Sequence, residues 1–335
     1  MGHSVWYLEN RDMCKVIPTY IVKKEKPAVV AESIIEVDFD LTSGPSVLNK
    51  DEEMTEDEES AFAFSSLPDI RSMEMGKESF IFYLSNKSYH VSFIQEADKS
   101  KPRGCTQKSI VVQCNKYTPG LPLVLSDALT RASEYTPEKV LNLLWNTELP
   151  TLTETIRLLH NRISPEIQKL FDQNKNTIIE NLMRSKGFLV IARTPTESSV
   201  IVCYLSMFGG VKYGGDILPY RSSFVQNKIP NHSIVGVTNE YHYKSNQFDN
   251  AIDAINGRYY YKEKKCNDNL EKLFKELEEY FLECPEGFQT EKWLHRLSDL
   301  GASIKARRVF REFFGSSGFT EWLLAHGYKS IQPNK

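Results

Sequence analysis

The residues with the clearest potential for chemistry lie in the hydroxyl-rich stretch TPTESS, which follows the apolar run FLVIA and begins at Thr194. A turn of this kind between a strand and a helix is a place where a phosphate could bind. Thr194 and Glu197, however, have the spacing of a capping box, with Pro195 at the first helical position. A phosphate loop would use glycines here, whereas the glycines come later, at Gly209–Gly210 and Gly214–Gly215. We therefore predict a self-capped helix start that supports another element.

Other residue combinations that support catalysis or metal binding do not occur at the required spacing. The histidines include no pair at metal-ligand spacing, and the six cysteines form no CxxC pair. Glu240 and His242 come nearest to a ligand pair, and we interpret them as solvated loop side chains. The sequence has no Gly-x-Ser-x-Gly, HExxH or Walker motif. We expect no metal, no cofactor, no small-molecule substrate and no covalent or hydrolytic chemistry.

The composition is that of an ordinary globular protein. The chain has 335 residues, of which 41% are hydrophobic and 25% are charged, and its net charge is -3. This near-neutral charge gives no indication of nucleic-acid binding. No apolar run reaches the length of about 18 residues that a membrane span needs, and the first residues lack the apolar core of a secretory signal. The scattered cysteines indicate reduced thiols, so we expect a cytoplasmic protein.

The first half of the chain has the pattern of an antiparallel sheet followed by helices. Alternation in SIIEVDFDLTSGP predicts a strand that ends in a Gly-Pro turn. Thr55 and Glu58 predict a capped helix that ends before Leu67. The segment Ser79–Gln95 predicts two strands, and Pro102–Asn115 predicts a turn that leads into a third.

The second half predicts a layered α/β lobe and a helical end. FLVIA, VKYGGDILPY and HSIVGVT are strand-like, and a helix between the first two indicates a βαβ layer. From Asn267 the chain has helical periodicity. The segment KARRVFREFF is compatible with a basic amphipathic helix for anionic lipid, or with a packed helix that buries Ile304, Val309, Phe310, Phe313 and Phe314. We favour the packed helix.

These patterns predict an α/β (α+β) fold in five segments. Residues 1–32 form an extension without assignment, 33–149 the antiparallel lobe, 150–186 a linker and helices, 187–262 the α/β lobe, and 263–335 a helical region. Within the third segment, the best linker candidate is the stretch Pro150–Pro165.

Six segments, in order from about residue 33 to 324, carry a family resemblance. They are VDFDLTSGPSV, AFAFSSLPD, KPRGCTQKSIVV, FLVIARTPTESSVIVCYLSMFGGVKYGGDILPY, SIVGVTN and RRVFREFFGSSGFTEWL. Together they resemble the DENN-domain exchange factors for Rab GTPases, most nearly the compact branch known in animals as DENN subfamily six. The resemblance implies a longin-like N-terminal lobe and a C-terminal α/β DENN lobe with a helical tail.

The same resemblance implies a function in membrane trafficking. It implies a guanine-nucleotide exchange factor that holds a Rab-type small GTPase between its lobes and promotes GDP release. It also implies peripheral recruitment to endosomal or secretory membranes. A scaffold that binds the GTPase without exchange, and a GTPase activator that uses Arg103 as an arginine finger, remain open. The polar residues of these segments that we favour for partner contact are Arg103, Lys108, Asp216, Arg221 and Asn239.

Overall fold

The computed structural model describes most of the chain after residue 30. The described residues are 31–40, 44–49, 54–68, 76–84, 87–100, 104–114, 120, 123, 142, 150–221, 232–239, 248–261, 267–283 and 288–325. They contain helices and two five-stranded sheets, which confirms the predicted α/β (α+β) class. The unassigned extension, apart from its last two residues, lies outside the described residues.

The first sheet is antiparallel, as predicted. Its strands are β1 (Ala31–Asp40), β2 (Gly44–Asn49), β3 (Gly76–Leu84), β4 (Lys87–Ala97) and β5 (Cys105–Cys114). Their order across the sheet is β2-β1-β5-β4-β3. Strand β2 was not predicted, because Gly44 and Pro45 together are typical of a turn. Gly44 does turn the chain, with a φ of 79°, and Pro45 is tolerated in β2 because this is an edge strand.

Helix α1 (Glu56–Ser66) packs on one face of this sheet. The predicted capping box is present: the Glu58 amide donates to the Thr55 hydroxyl at 3.3 Å, and the Thr55 amide donates to the Glu58 carboxylate at 3.1 Å. Phe62 is fully buried, with its ring centroid 5.7 Å from that of Phe82 and 5.0 Å from that of Tyr89. We call β1–β5 with α1 the first lobe.

The second sheet is mostly parallel. Its strands are β6 (Phe188–Ile191), β7 (Asp216–Leu218), β8 (Ser233–Val237), β9 (Asn250–Asp253) and β10 (Arg258–Tyr261). They lie in the order β10-β9-β6-β8-β7, and only β10 is antiparallel to its neighbour. The predicted βαβ layer is therefore present. Strands β9 and β10 were missed, because four residues are too few to establish an alternating pattern.

Helices surround the second sheet and extend beyond it. They are α2 (Leu152–His160), α3 (Pro165–Met183), α4 (Pro195–Leu205), α5 (Leu270–Glu283), α6 (Thr290–Asp299), α7 (Ile304–Phe314) and α8 (Ser317–Ala325). We call these helices and β6–β10 the second lobe. The stretch expected as a linker is helix α2 and the turn after it, and its Leu159 and Ile163 are buried in the core of the second lobe. Pro165 begins α3 at a position that suits proline.

Helix α7 is packed, as we favoured for KARRVFREFF. Val309, Phe310, Phe313 and Phe314 are buried among the aromatic side chains of the helical end. The prediction was wrong for Ile304, whose side chain is 78% exposed. Ile304 is the first residue of the helix, and it lies on the side of α7 that faces away from the core.

Candidate functional site: the seam between the lobes

The edge strand β3 of the first lobe is bound by the second lobe. The Ser79 amide donates to the Thr196 hydroxyl at 2.8 Å, and the Ile81 amide donates to the Ser199 hydroxyl at 3.1 Å. The Tyr220 amide donates to the Ile81 carbonyl oxygen at 2.8 Å. An edge strand otherwise presents unpaired backbone groups to solvent. We call this contact, between β3 on one side and α4 and Tyr220 on the other, the seam.

A carboxylate of the first lobe occupies the N-terminus of α4. The Thr196 amide donates to Glu78 Oε2 at 3.1 Å, and the Thr196 hydroxyl donates to the same oxygen. Helix N-termini favour negative charge because their first amides are unpaired and the helix dipole is positive there. The position at which a phosphate could have bound thus holds Glu78. The hydroxyl-rich stretch joins the two lobes, in agreement with the prediction that it supports another element.

The start of α4 is capped, although not in the full reciprocal form that was predicted. The Glu197 amide donates to the Thr194 hydroxyl at 3.2 Å, and Pro195 is the first helical residue, both as expected. The Glu197 carboxylate was expected to accept from the Thr194 amide. It accepts instead from the Arg193 amide at 2.8 Å, one residue earlier, because the chain enters the helix with that amide directed at the carboxylate.

Three stretches of the chain meet at Gly236. The Ser198 hydroxyl donates to the Pro219 carbonyl oxygen at 2.9 Å, and the Arg221 amide donates to the Gly236 carbonyl oxygen at 2.8 Å. A Cβ atom on Gly236 would overlap both the Ser198 hydroxyl and the Pro219 carbonyl oxygen. Glycine is therefore required here by close approach of α4, of the end of β7 and of β8.

Each lobe also places a side chain in the core of the other. Tyr220 is 1% exposed and packs edge-on against Phe80 of β3, with ring centroids 5.0 Å apart, within the core of the first lobe. In the opposite direction, the fully buried Ile81 belongs to the large core of the second lobe. This exchange of buried apolar side chains fixes the lobes against each other.

Two of the five predicted contact residues lie at one edge of the second sheet. Arg221 and Asn239 follow the carboxyl ends of the adjacent parallel strands β7 and β8. The N-terminus of α4 and the exposed Arg193 follow the carboxyl end of β6 at the same edge of the sheet. Burial lowers the pKa of Arg221 from its ordinary value. In open α/β sheets, ligands bind at this edge.

The other three predicted residues are placed differently. Asp216 is exposed at the beginning of β7, which is the opposite end of the strand from Arg221. Lys108 lies on β5, and its Nζ is 3.0 Å from Glu36 Oε2 on β1, so it is paired within the first sheet. Arg103 lies outside the described residues.

The residues that sequence reasoning missed are Glu78 and Tyr220, which hold the seam. Glu78 lies one residue before the segment that was predicted to form strands, and no local pattern distinguishes it from other carboxylates of the chain. Tyr220 was only the last residue of a strand-like segment. The one available signal was the density of hydroxyls in TPTESS, which indicated that several donors and acceptors needed partners there.

Among the residues that the structure describes, no group of three or more histidine, cysteine, aspartate or glutamate side chains is placed to hold a metal ion. Within the same part of the chain, the helices are too short or too polar to span a membrane. No family model matches the sequence, and no curated protein matches it.

Proposed function

We propose that the chain is a guanine-nucleotide exchange factor for a Rab-type small GTPase, with the GTPase bound across the seam. The observation that carries this proposal is that segments resembling the DENN family contact one another in space. The segments TPTESS, DILPY and SIVGVTN meet at Gly236 through Ser198, Pro219 and Arg221. Three resembling stretches that are separated in the chain are thus in direct contact with one another.

The remaining resembling segments also contact one another in pairs. In the first lobe, the Ser109 hydroxyl of the QKS strand donates to the Ser66 carbonyl oxygen of AFAFSSLPD at 2.7 Å. The ion pair of Lys108 with Glu36 joins the same strand to β1, which carries VDFD. In the second lobe, the Ser317 hydroxyl of FFGSSGF donates to the Gly214 carbonyl oxygen of VKYGGD. These contacts support the proposal because they join resembling segments within each lobe.

The proposed mechanism needs binding energy and no chemical step of the chain itself. An exchange factor accelerates GDP release when it binds the nucleotide-free GTPase more tightly than the nucleotide-bound form. Two lobes fixed against each other present a surface that does not rearrange when the partner loses its nucleotide. Arg193, Arg221 and Asn239 follow the carboxyl ends of β6, β7 and β8, so the proposal places the GTPase at this edge of the second sheet. The proposal includes a cytoplasmic protein that is recruited peripherally to endosomal or secretory membranes.

The test is a panel of purified Rab GTPases loaded with fluorescent GDP, in which nucleotide release is followed after addition of the full chain. We expect faster release from one or a few members. Arg221→Glu should slow that release about tenfold or more, since reversal of a contact charge costs about 1–3 kcal/mol of binding. Lys169→Glu, on the exposed side of α3, is the matched control and should leave release unchanged.

Three results would contradict exchange activity. Tight GTPase binding without faster release identifies a scaffold. Stimulated GTP hydrolysis that is lost in Arg103→Lys identifies an activator. If the chain binds no member of a complete Rab panel, its partner is not a Rab GTPase.

A further inference from the structure

The turn between α6 and α7 carries the most exposed large apolar side chain of the described residues. Ile304 is 78% exposed and Leu300, four residues before it, is 44% exposed. All residues from 298 to 304 are exposed except Ala302, which is partly buried. We call this segment, Ser298–Ile304, the helical tip. Two aliphatic side chains in water at one projecting turn are not explained by the packing of either helix.

The helical tip is a fixed structure. The Gly301 amide donates to the Ser298 carbonyl oxygen at 3.0 Å, and the Ala302 amide donates to the Leu297 carbonyl oxygen at 2.9 Å. Gly301 has a φ of 74°, which ends α6 in the usual left-handed conformation. The Ser303 amide donates to Asp268 Oδ1 at 3.0 Å, which ties the tip to the start of α5. The two aliphatic side chains are thus held outward by a hydrogen-bonded turn.

Helices α6 and α7 each carry basic residues on the same face as the exposed aliphatic residue of the tip. On α7, Ile304 is followed by Arg307, Arg308 and Arg311, at the i, i+3, i+4 and i+7 positions of one face. The opposite face holds the buried residues of this helix. The stripe is therefore independent of the core packing, and it combines one aliphatic residue with three arginines.

Helix α6 repeats this arrangement. Lys292, Arg296 and Leu300 are spaced four residues apart, so that a basic stripe again ends in an aliphatic residue at the tip. The guanidinium of Arg296 also lies 5.2 Å from the ring centroid of Tyr280. Asp299 is the acidic residue of the tip itself. The result is a helical hairpin with an aliphatic end and basic flanks.

The basic stripes are only partly neutralised by the carboxylate of Glu312. It lies 2.9 Å from Arg308 Nε and 2.9 Å from Arg184 Nε, so it is shared between two guanidinium groups. Lys305 is likewise directed into the protein, with its Nζ 2.8 Å from Glu180 Oε1. Arg307 is partly buried and donates from Nη1 to the Ser298 hydroxyl at 3.1 Å. The outward charge therefore comes from Arg311 and the two basic residues of α6.

We infer that the helical tip and its basic stripes dock on an anionic membrane surface. A projecting aliphatic turn fits the boundary between lipid headgroups and acyl chains, whereas a protein partner would need a complementary pocket for it. Arginine and lysine beside such a turn meet the phosphate groups of acidic lipids. The inference rests on the membrane recruitment included in the proposed function and names the surface for it.

The test is flotation of the full chain with vesicles, without any GTPase. One set of vesicles contains phosphatidylcholine and phosphatidylserine in equal amounts, and the other contains phosphatidylcholine alone. We expect binding to the anionic vesicles only, weakened by added salt. Ile304→Ser should weaken binding about tenfold, because it removes the inserted side chain. Arg311→Gln should weaken it about fivefold, which corresponds to one basic residue near an anionic surface.

Matched controls separate the tip from general surface effects. Leu282→Ser replaces a side chain that is 56% exposed on α5, and Lys169→Gln removes an exposed charge on α3. Both should bind vesicles like the wild type, and all four variants should unfold at the wild-type temperature.

Equal binding to neutral vesicles, absence of vesicle binding, or unchanged binding of Ile304→Ser and Arg311→Gln would overturn the inference. If these two variants instead lose binding to a purified protein partner while vesicles are not bound, the surface is a protein interface. Nucleotide release in solution is scored separately, so failure of one proposal does not imply failure of the other.

Discussion

The Glu78 carboxylate accepts a hydrogen bond from the Thr196 amide at 3.1 Å. Glu78 lies on the edge strand β3 of the first lobe, and Thr196 lies in the first turn of α4 in the second lobe. The two residues are 118 positions apart in the chain. The contact satisfies a helix N-terminus and fixes a sheet edge at the same time. A stretch that is suited by composition to an external anion is therefore used for an internal one.

Replacing Glu78 should loosen the seam. Glu78→Gln keeps an acceptor but loses the charge, and we expect a loss of about 0.5–1 kcal/mol in the free energy of unfolding. Glu78→Ala leaves the Thr196 amide and hydroxyl without this partner and should cost about 1–3 kcal/mol. Denaturant unfolding measures both changes. Glu279→Gln, at an exposed position of α5, is the matched control, and equal stability of Glu78→Ala and wild type would contradict this role.

Replacing the buried Gly236 should be strongly destabilising. Gly236→Ala brings a Cβ atom into the space of the Ser198 hydroxyl and the Pro219 carbonyl oxygen, and one of these is backbone. We expect a loss of about 3 kcal/mol, because a close-packed contact must open. Gly315→Ala is the matched control, since φ is -86° there and the nearest atom to a new Cβ would be 3.7 Å away. A Gly236→Ala protein as stable as Gly315→Ala would show that the seam can relax.

The elements that were predicted correctly are those whose structure is determined by residues close together in the sequence. The capping box of α1 and the hydroxyl cap of α4 follow from a Thr and a Glu three residues apart, and β4 and β5 follow from their apolar runs. Strand β2 was missed because a Gly-Pro pair has the same appearance in a turn and at the start of an edge strand. The prediction for Ile304 was wrong because an apolar side chain was expected to be buried, although its helical spacing places it on the face opposite the buried residues of α7.

The seam could not be predicted because its contacts join residues far apart in the chain. No periodicity relates Glu78 to Thr196, or Tyr220 to Phe80. Of the favoured contact residues, Arg221 and Asn239 lie at one edge since adjacent parallel strands end together. Asp216 lies at the other end of β7, because a residue that begins a strand and one that follows it are separated by the strand's length.

Replacing Glu180, the buried member of the ion-pair network between α3 and α7, should lower the free energy of unfolding. Glu180 is 3% exposed, and its carboxylate lies 2.8 Å from Lys305 Nζ and 3.5 Å from Arg184 Nη1. Glu180→Ala leaves two cations close together without this carboxylate, and we expect a loss of about 3 kcal/mol. Lys305→Ala should cost less, because its side chain is 41% exposed and water replaces the partner.

A double-mutant cycle of Glu180→Ala and Lys305→Ala measures the interaction itself. We expect the double variant to be less destabilised than the sum of the single variants, since removing both partners leaves no unpaired charge between them. Additive losses would show that Glu180 acts through packing rather than through its charge.

The stability of the first lobe should fall with acid because of His90. This residue of β4 is fully buried opposite Ile81 and Val112, and burial lowers the pKa of its imidazole from 6.5 to about 3. Between these values the unfolded chain binds a proton that the folded chain does not, so the free energy of unfolding decreases as pH falls. The slope from this one group is about 1.4 kcal/mol per pH unit within the window.

His90→Leu isolates this contribution, because every other titrating group is common to the two proteins. Leucine has no proton to bind, and its apolar side chain suits the neighbouring Ile81 and Val112. We expect the difference in stability between His90→Leu and wild type to be constant above pH 6.5 and to grow in favour of the variant as the pH is lowered toward 3. Denaturant unfolding of both proteins across this range measures the difference. A difference that stays flat with pH would mean that the folded protein accepts the proton on His90 as readily as the unfolded chain does.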